Sequence, residues 1–435
     1  MQSLIPITGV FMSDIHDKVE EINNVAEKFH NKKDETNIVV FNPISYPERM
    51  ETKTGFKALD TYKNLKWLLM ENFNATIRFN MMTRRREITI PGHYVFKDDS
   101  DNDILSRIDR LAVLNGMPIK KLDKHLDVIA GESPYHPIVK CIQDKPWDGF
   151  KRLDSFLATI HTDNMEYSTK ITRTWMVGAI AAAFSEDGFI NQGVLVLAGA
   201  QGINKTRWVK SLDPIGCGAV KEGAFLDPSN KDSLIQLASY WIAELGELDS
   251  IFGKSAMGRL KSYITMQFDH VRFPYAYKPT VLARRTAYVA TVNEENYLID
   301  QTGNRRWWTL SVTKIDLDHD LDMQQVWAEV YDLWQRGALP YLSQEDQELV
   351  NEKNTQHEKI DPIKEKLLSH CDWENGILRK ISATDLFYEM FGKHGTRGEV
   401  TSLGSTLKEL TKKLPEKTKF SNLHEIPQRR SILFK

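Results

Sequence analysis

The sequence predicts an α/β core with a smaller α+β domain on its N-terminal side and a winged-helix-like domain on its C-terminal side. Three observations support this fold class. After Gln192, short apolar runs alternate with helical patterns, as in a sheet with helical crossovers. The preceding segment combines helical periodicity with a hairpin-like alternation. The C-terminal end is basic and contains helical patterns followed by a short strand.

Length and composition are those of a globular protein with several domains. The 435 residues are enough for about two to four domains. A formal net charge of −2 argues against a uniformly basic surface but allows local basic patches. The three cysteines are far apart and offer neither a metal-ligand spacing nor a disulfide framework, so we expect a reducing compartment. No apolar run approaches about 18 residues, and no signal-peptide pattern is present, so we expect no membrane span and no leader.

The chain divides into five predicted segments. They are an N-terminal helix and linker (1–55), the α+β domain (56–134), a helical lead-in (135–190), the α/β core (191–350) and the winged-helix-like domain (365–435). In the α+β domain we expect a helix from Thr61, a hairpin over "ATIRFNMMTRRREITI" and two helices within 102–130. The core strands are expected in VLVLAG, YWIAELGEL, TAYVATVN and RRWWTLSV.

The stretch "VLVLAGAQGINKTRW", residues 194–208, has the layout of a phosphate-binding loop between a strand and a helix. In such a loop the lysine reaches the β and γ phosphates of ATP, and the hydroxyl of the next residue ligates Mg²⁺. Asn204 replaces the usual glycine before the lysine, and asparagine is among the residues that best tolerate left-handed backbone angles. The alternative is an ordinary strand–turn–helix with a surface lysine. The predicted ATP-binding residues are Gly199, Ala200, Gln201, Gly202, Asn204, Lys205 and Thr206.

Polar residues follow the later core strands and supply the other groups that a nucleotide hydrolase needs. Glu244 and Glu247 follow a strand-like run, where a carboxylate can hold the metal or activate water, although spacing does not divide these roles between them. Asn293 ends the next strand and can orient water against the γ-phosphate. Arg305 and Arg306 precede a Trp-rich strand, and an arginine from a neighbouring subunit can stabilise the transition state. The alternatives are surface glutamates at the end of a buried strand and a solvated or salt-bridged pair of surface arginines.

Two basic regions are candidate DNA-binding surfaces. In "FDHVRFPYAYKPTVLARRTAYVA", cations and aromatic rings share a predicted hairpin, because phosphates attract cations and bases stack on rings. Residues 377–435 hold 12 Lys and Arg against 6 Asp and Glu, as on the basic face of a winged helix. The alternatives are a solvated hairpin and a small helical cap. The predicted DNA-binding residues are Arg272, Lys278, Arg284, Arg285, Lys408 and Lys412.

Residues 135–342 resemble the virulence-associated protein E family of phage, prophage and genomic-island proteins, which are related to superfamily 3-like AAA+ helicases. The resemblance rests on "YHPIVKCIQDKPWDGFKRLDSFL", "LVLAGAQGINKTRWVKSL", "WIAELGEL", "DHVRFPY" and, most specifically, "TVNEENYLIDQTGNRRWWTL". It implies an ATP- and Mg²⁺-dependent helicase or replication ATPase in the cytoplasm of a bacterial host. It also implies a ring, expected to be hexameric, that acts on single-stranded or forked DNA. No primase motif precedes the ATPase, so a separate primase or initiator is the expected partner.

The same resemblance implies a role for each candidate residue. Lys205 and Thr206 bind phosphate and Mg²⁺, Glu244 and Glu247 form the acidic pair, with Glu244 at the metal, Asn293 is the sensor, and Arg305 or Arg306 is the arginine finger. Asn204 departs from the family pattern and puts the catalytic rate in doubt more than nucleotide binding.

Three other functions are compatible with parts of the sequence. An ATPase without unwinding activity, as a regulator or an anti-phage defence component, shares every catalytic residue. A nucleotide- or DNA-binding scaffold without hydrolysis is favoured only by Asn204. A small-molecule kinase fits less well, because such enzymes rarely carry a second arginine pair or a basic C-terminal domain.

Overall fold

The structure is a computed structural model that describes most of the chain in two compact units, which divide between His136 and Pro137. The division lies two residues beyond the predicted boundary after residue 134. The helix expected within residues 1–55 lies outside the described residues. Among the described residues, no helix combines the length and apolarity needed to cross a bilayer. The described residues are 41–92, 100–224, 230–246, 254–271, 279–293, 297–298, 304–357, 362–373, 378–417 and 422–429.

The N-terminal unit is a small α+β domain. Its strands are β1 (Arg49–Thr52), β2 (Gly55–Ala58), β3 (Thr76–Asn80), β4 (Arg85–Thr89) and β5 (Pro134–Tyr135). Strand β3 pairs with β4 in an antiparallel hairpin and with β5 in parallel, which gives the sheet order β4-β3-β5. Its helices are α1 (Tyr62–Lys66), which continues as a π-helical segment (Trp67–Asn72), α2 (Ser100–Leu114) and α3 (Leu122–Gly131), after a 3-10 turn (Pro43–Ser45).

These elements confirm the expected helix, hairpin and pair of helices, with two differences. The β1–β2 hairpin lies across the predicted boundary at residue 55 between the linker and the α+β domain. Strand β5 reaches one residue past the predicted end of the domain at 134, because Tyr135 pairs with Asn80 of β3. The core of this unit is aliphatic, with Leu65, Ile108 and Ile129 almost fully buried.

The second unit is built on a six-stranded sheet. The strands are β6 (Ile160–Thr162), β7 (Val194–Ala198), β8 (Val220–Ala224), β9 (Ile242–Leu245), β12 (Ala287–Val292) and β13 (Trp307–Ile315), and a separate hairpin contains β10 (Phe268–Val271) and β11 (Thr280–Ala283). The order in the sheet is β6-β13-β7-β12-β9-β8, and all neighbours are parallel except β6, which runs antiparallel to β13. The helices are α4 (Pro137–Asp144), α5 (Leu153–Leu157), α6 (Met165–Phe184), α7 (Lys205–Ser211), α8 (Lys231–Leu237), α9 (Lys254–Ile264), α10 (Met323–Gln335) and α11 (Gln344–Thr355), with a 3-10 turn at Asn304–Arg306.

Helices cover the central strands, so β7 and β9 are buried along their whole length. The parallel α/β core predicted from the alternating runs is therefore present. Buried tryptophans join the layers through their indole N–H groups: Trp175 donates to the carbonyl of Tyr288 and Trp241 to that of Ala179. These bonds satisfy the indoles and fix α6 against the strands that carry the candidate site.

The C-terminal part of this unit contains three helices and a small antiparallel sheet. Its strands, in sheet order, are β14 (Leu378–Ser382), β16 (Asn422–Pro427) and β15 (Glu416–Lys417). The helical patterns predicted at the C-terminal end are confirmed, and the first of the two helices after β14 ends at Gly392, which has a φ of 69°. The helix before this part extends past the predicted end of the core at residue 350, to Thr355, because Val350 and Asn354 are buried. Most of the last seven residues, where a short final strand was expected, lie outside the described residues. The helices are α12 (Pro362–His370), α13 (Ala383–Phe391) and α14 (Arg397–Thr411).

Candidate nucleotide site

The loop between β7 and α7 is tight and depends on special backbone positions. Asn204 has φ 69° and ψ 24°, the left-handed conformation expected of it from the sequence. Gly202 also has a positive φ, of 85°. A Cβ on Gly199 would lie 2.2 Å from the carbonyl oxygen of Val312 on β13, so only glycine fits there.

Lys205 begins α7, and its side chain folds back into the loop. Its Nζ donates to the carbonyls of Gly199 and Ala200 at 2.7 and 2.8 Å, and to Oδ1 of Asn293 at 3.1 Å. The residue is 6% exposed, so these acceptors take the place of water around the ammonium. The lysine therefore connects the loop after β7 to the residue that follows the adjacent strand β12.

Glu244, on β9, is a buried carboxylate that accepts hydrogen bonds from three elements. Thr206 donates its hydroxyl to Oε1 at 2.7 Å, and Thr291 of β12 donates to the same oxygen at 2.8 Å. The backbone N–H of Gly223 donates to Oε2 at 3.1 Å. The carboxylate is 1% exposed, and these donors compensate for its removal from water. Its oxygens and the Thr206 hydroxyl are hard oxygen ligands of the kind that Mg²⁺ prefers.

The four side chains meet because the carboxyl ends of parallel strands lie at the same edge of a sheet. Val292 pairs with Ala198, so β7 and β12 end together, and Leu245 pairs with Ala290, so β9 ends two residues earlier beside them. Lys205, Thr206, Glu244 and Asn293 are thus brought together there. Glu247, the second carboxylate predicted from the sequence, lies outside the described residues. Among the described residues, no group of three His, Cys, Asp or Glu side chains could hold a metal ion.

Arg305 and Arg306 lie at the opposite edge of the sheet. They directly precede β13, whose first residue, Trp307, pairs with Val194 at the start of β7. The phosphate loop follows the other end of β7, about 13 Å away along the strand. Arg305 is exposed, and Arg306 is partly buried. Burial, and then the charge of Arg305, lower the pKa of Arg306. Neither arginine makes an ion pair with a carboxylate in the described part of the chain.

A buried polar network holds the turn that carries these two arginines. Asn304 accepts a hydrogen bond on Oδ1 from Nζ of Lys261 at 3.1 Å. Asn354 of α11 donates from Nδ2 to the carbonyls of Asn304 and Trp307, at 2.8 and 2.9 Å, and accepts from the hydroxyl of Thr309 at 2.7 Å. The start of β13 is therefore fixed by residues from two helices, α9 and α11.

Thr291, Lys261 and Asn354 are among the residues of these networks that were not predicted from the sequence. Thr291 carried a usable signal, because it lies two residues before Asn293 and alternate strand residues share a face. Lys261 and Asn354 carried none, since each is a polar residue in a helical pattern whose partner is about 40 to 50 residues away.

The structure corrects the prediction that Arg284 contacts DNA. Its side chain is 1% exposed and donates to both carboxylate oxygens of Asp269, at 2.8 and 2.5 Å. The guanidinium also lies 3.6 Å from the ring centre of Tyr263 and donates to that residue's carbonyl. It therefore ties the β10–β11 hairpin to α9 and is not available to a nucleic acid.

Arg285 is half-buried and also makes hydrogen bonds within the fold, and its predicted contact with DNA stays a prediction. It donates to the carbonyls of Ser185 and Glu186, both at 2.7 Å, just after the end of α6. Burial lowers its pKa. Arg272 and Lys278 lie outside the described residues. Lys408 and Lys412 are exposed, the first on α14 and the second directly after it.

Comparison with known proteins gives one family. The model of the virulence-associated protein E-like domain matches residues 142–359, half of the chain. The solved structure described as "The apo structure of NrS-1 C terminal region (305-718)" matches with a TM-score of 0.46 at 13% identity, over 84% of this chain and 99% of that chain. An A form apo structure of the same region gives a TM-score of 0.44 at 14% identity, over 84% and 99%. No curated protein matches the chain.

Proposed function

We propose that this chain, which belongs to the virulence-associated protein E-like family, hydrolyses ATP and acts on DNA in the replication of a phage or another mobile genetic element. One observation carries the proposal. A lysine, a hydroxyl, a buried carboxylate and an amide converge at the carboxyl edge of the sheet around a tight loop. This is the set of groups that phosphoryl transfer from a nucleotide requires.

The loop is the proposed binding site for the phosphates of ATP. Its backbone N–H groups and the N-terminus of α7 favour an anion. Lys205 would exchange the carbonyls of Gly199 and Ala200 for phosphate oxygens, which are stronger acceptors because they are charged. Asn204 gives no support to the non-hydrolysing scaffold, because it already has the backbone conformation that glycine would supply.

Thr206 and Glu244 are the proposed ligands for Mg²⁺, directly or through its waters. When bound, the ion supplies positive charge beside the phosphates. Because both oxygens of Glu244 already accept hydrogen bonds from Thr206, Thr291 and Gly223, we assign Glu244 to the metal side. Glu247 is then the proposed general base.

Asn293 is the proposed sensor, which orients water against the γ-phosphate. Its Oδ1 lies 3.1 Å from Nζ of Lys205, so it is beside the group that we expect to bind the phosphates. An amide can accept a hydrogen bond from water while its N–H₂ donates to an oxyanion.

The position of Arg305 and Arg306 supports a role in a second copy of the chain. They are about 13 Å along β7 from the loop, so they lie at the other end of the strands from the nucleotide site of their own chain. An arginine finger acting on the neighbouring subunit requires an oligomer, and we propose a ring, expected to be hexameric.

The C-terminal elements are proposed to bind DNA as a winged helix. Their order of helix, strand, two helices and two strands supports this assignment, as do the exposed cations Lys408 and Lys412. Single-stranded or forked DNA is the proposed substrate, in the cytoplasm of a bacterial host, with priming or initiation supplied by another chain.

The test is ATP hydrolysis by the full chain, with and without single-stranded DNA, beside the separation of a labelled fork. Lys205→Ala should abolish hydrolysis, because the phosphates lose their cation. Lys210→Ala is the matched control, since it removes an exposed lysine of the same helix that pairs with Glu222. DNA-stimulated turnover without strand separation would support a regulatory or defence ATPase, and nucleotide binding without turnover would support a scaffold. Wild-type turnover in Lys205→Ala would refute the site.

A further inference from the structure

The C-terminal elements line a polar cavity of about 340 Å³ that is open to solvent and lies outside the proposed nucleotide site. It is formed by the start of α13, one side of α14 and strand β16. Its chemistry is set by Thr384, Thr401, Gly404, Ser405, Lys408 and His424. In the part of the chain that the structure describes, no aspartate or glutamate lines it.

His424 is the buried polar group of this cavity. Its side chain is 5% exposed, and its ring makes no hydrogen bond with any described residue. Gly404 faces the ring, and a Cβ placed there would lie 3.8 Å from Nε2. The absence of a side chain at Gly404 therefore leaves space beside an imidazole nitrogen that has no hydrogen-bond partner in the described part of the chain. A buried polar group of this kind is costly unless a ligand or water satisfies it.

Lys408 supplies the positive charge. It forms no ion pair among the described residues, whereas Lys364, Lys380 and Lys413 of the same region pair with Glu409, Glu416 and Glu425. Its charge also reaches His424: burial, and then Lys408, lower the pKa of that histidine. Lys408 and His424 thus share a cavity that no carboxylate of a described residue lines, an arrangement that favours the binding of an anion.

The start of α13 adds backbone donors to the same space. Ser382 caps this nine-residue helix, and its hydroxyl also holds the carboxylate of Asp385 at 2.6 Å. Ala383 and Thr384, which line the cavity, belong to the first turn, where N–H groups have no partner within the helix. The hydroxyls of Thr401 and Ser405 donate to carbonyls of α14 and can rotate towards a ligand.

We propose that this cavity is a phosphate site and that its ligand is a backbone phosphodiester of DNA. The choice of DNA rests on the function proposed above; the choice of phosphate rests on the cavity itself. An ammonium, an imidazole N–H and helix N-terminal N–H groups are the donors that phosphates accept from. The cavity is larger than a phosphate ion needs, which fits a phosphate that carries its sugars.

The first test is binding of a fluorescent oligonucleotide to the full chain without ATP. Lys408→Ala and His424→Gln should each weaken binding about tenfold at low salt, and Lys408→Ala should lower the salt slope by about one. Gly404→Leu, which fills the cavity, should weaken it to a similar extent. Gly404→Ala and Lys366→Ala are the matched controls and should stay within about twofold, because Ala makes only ordinary contacts and Lys366 is exposed on α12.

The second test observes the wild-type cavity directly. The His424 ring signal in an NMR spectrum of the full chain, identified by its loss in His424→Gln, should move on addition of sodium phosphate and of a short oligonucleotide. A signal that moves with neither ligand overturns the phosphate site. A signal that moves with phosphate, together with normal DNA binding by all variants, overturns DNA as the ligand and assigns free phosphate. ATP hydrolysis by these variants without DNA should equal wild type, so a failure of the ATPase proposal is recognised separately.

Discussion

The ammonium of Lys205 lies 3.1 Å from Oδ1 of Asn293, and this contact joins the phosphate loop to the end of the neighbouring strand. Lys205 follows β7 and Asn293 follows β12, and these strands are adjacent and parallel in the sheet. The lysine that we expect to bind phosphate and the amide that we expect to orient water are therefore in direct contact.

Asn293→Ala should separate catalysis from binding. We expect turnover to fall about 100-fold, because the amide would act on the reacting water and phosphate, while ATP affinity changes little. Steady-state kinetics and direct nucleotide titration measure the two quantities. Lys205→Ala is the comparison, since it should lose affinity as well. Equal losses of affinity in both variants would mean that Asn293 serves binding and is not a sensor.

Substitutions at Asn204 test the backbone argument for the loop. Residue 204 has a φ of 69°, where a non-glycine residue costs about 1 kcal/mol and asparagine less than most. Asn204→Gly should therefore preserve or raise ATP binding and turnover. Asn204→Val should impair both, because a β-branched side chain resists positive φ. If valine matches wild type while glycine loses activity, the asparagine acts through its side-chain amide.

Mixed oligomers test whether Arg305 and Arg306 act on a neighbouring subunit. Lys205→Ala and the double variant Arg305→Ala/Arg306→Ala should each be inactive alone. In a 1:1 mixture about a quarter of the interfaces should combine an intact lysine with an intact arginine pair, so activity should partly return. The control is a mixture of Lys205→Ala with the triple variant Lys205→Ala/Arg305→Ala/Arg306→Ala. It should stay inactive, because no subunit has an intact lysine. Absence of recovery in exchanging oligomers would exclude action in trans.

Asn354→Leu should misplace the arginine turn and destabilise the protein. The buried amide satisfies the carbonyls of Asn304 and Trp307, and leaving these unpaired costs about 1 to 3 kcal/mol. Thermal unfolding should show the loss. Turnover should fall while ATP affinity is retained, because Asn354 lies with the arginines at the edge remote from the loop. Normal turnover in a destabilised variant would restrict Asn354 to a structural role.

The lowered pKa of His424 predicts a pH dependence of stability in the C-terminal elements. Because the folded state holds this proton less readily than the unfolded chain, its contribution is full above the ordinary histidine pKa of 6.5 and is lost as the pH falls through the folded pKa. The difference in thermal stability between wild type and His424→Gln should therefore change between about pH 7 and pH 5. Added phosphate should reduce the wild-type loss. A pH-independent difference would show that His424 does not titrate in this range.

The features that the sequence by itself determined are local. The phosphate loop was recognisable because a strand, a glycine turn and a helix follow one another within residues 194–208. The left-handed Asn204 and the turn at Gly392 follow from rules about single residues. The alternation of apolar runs and helical patterns likewise predicted a parallel sheet, because periodicity reports which face of each element is buried.

Only the tertiary structure decided which charged groups face solvent and which form hydrogen bonds or ion pairs inside the protein. Arg284 and Arg285 looked like a basic surface, but Asp269, Tyr263 and the end of α6 engage them. Strand order placed Glu244 and Asn293 beside the loop. The parallel pairing of β13 with β7 placed the arginine pair at the other end of the strands, because these arginines precede β13. The physical reason is that the burial and pairing of a charge depend on residues that are distant along the chain, and neither propensity nor periodicity encodes those partners.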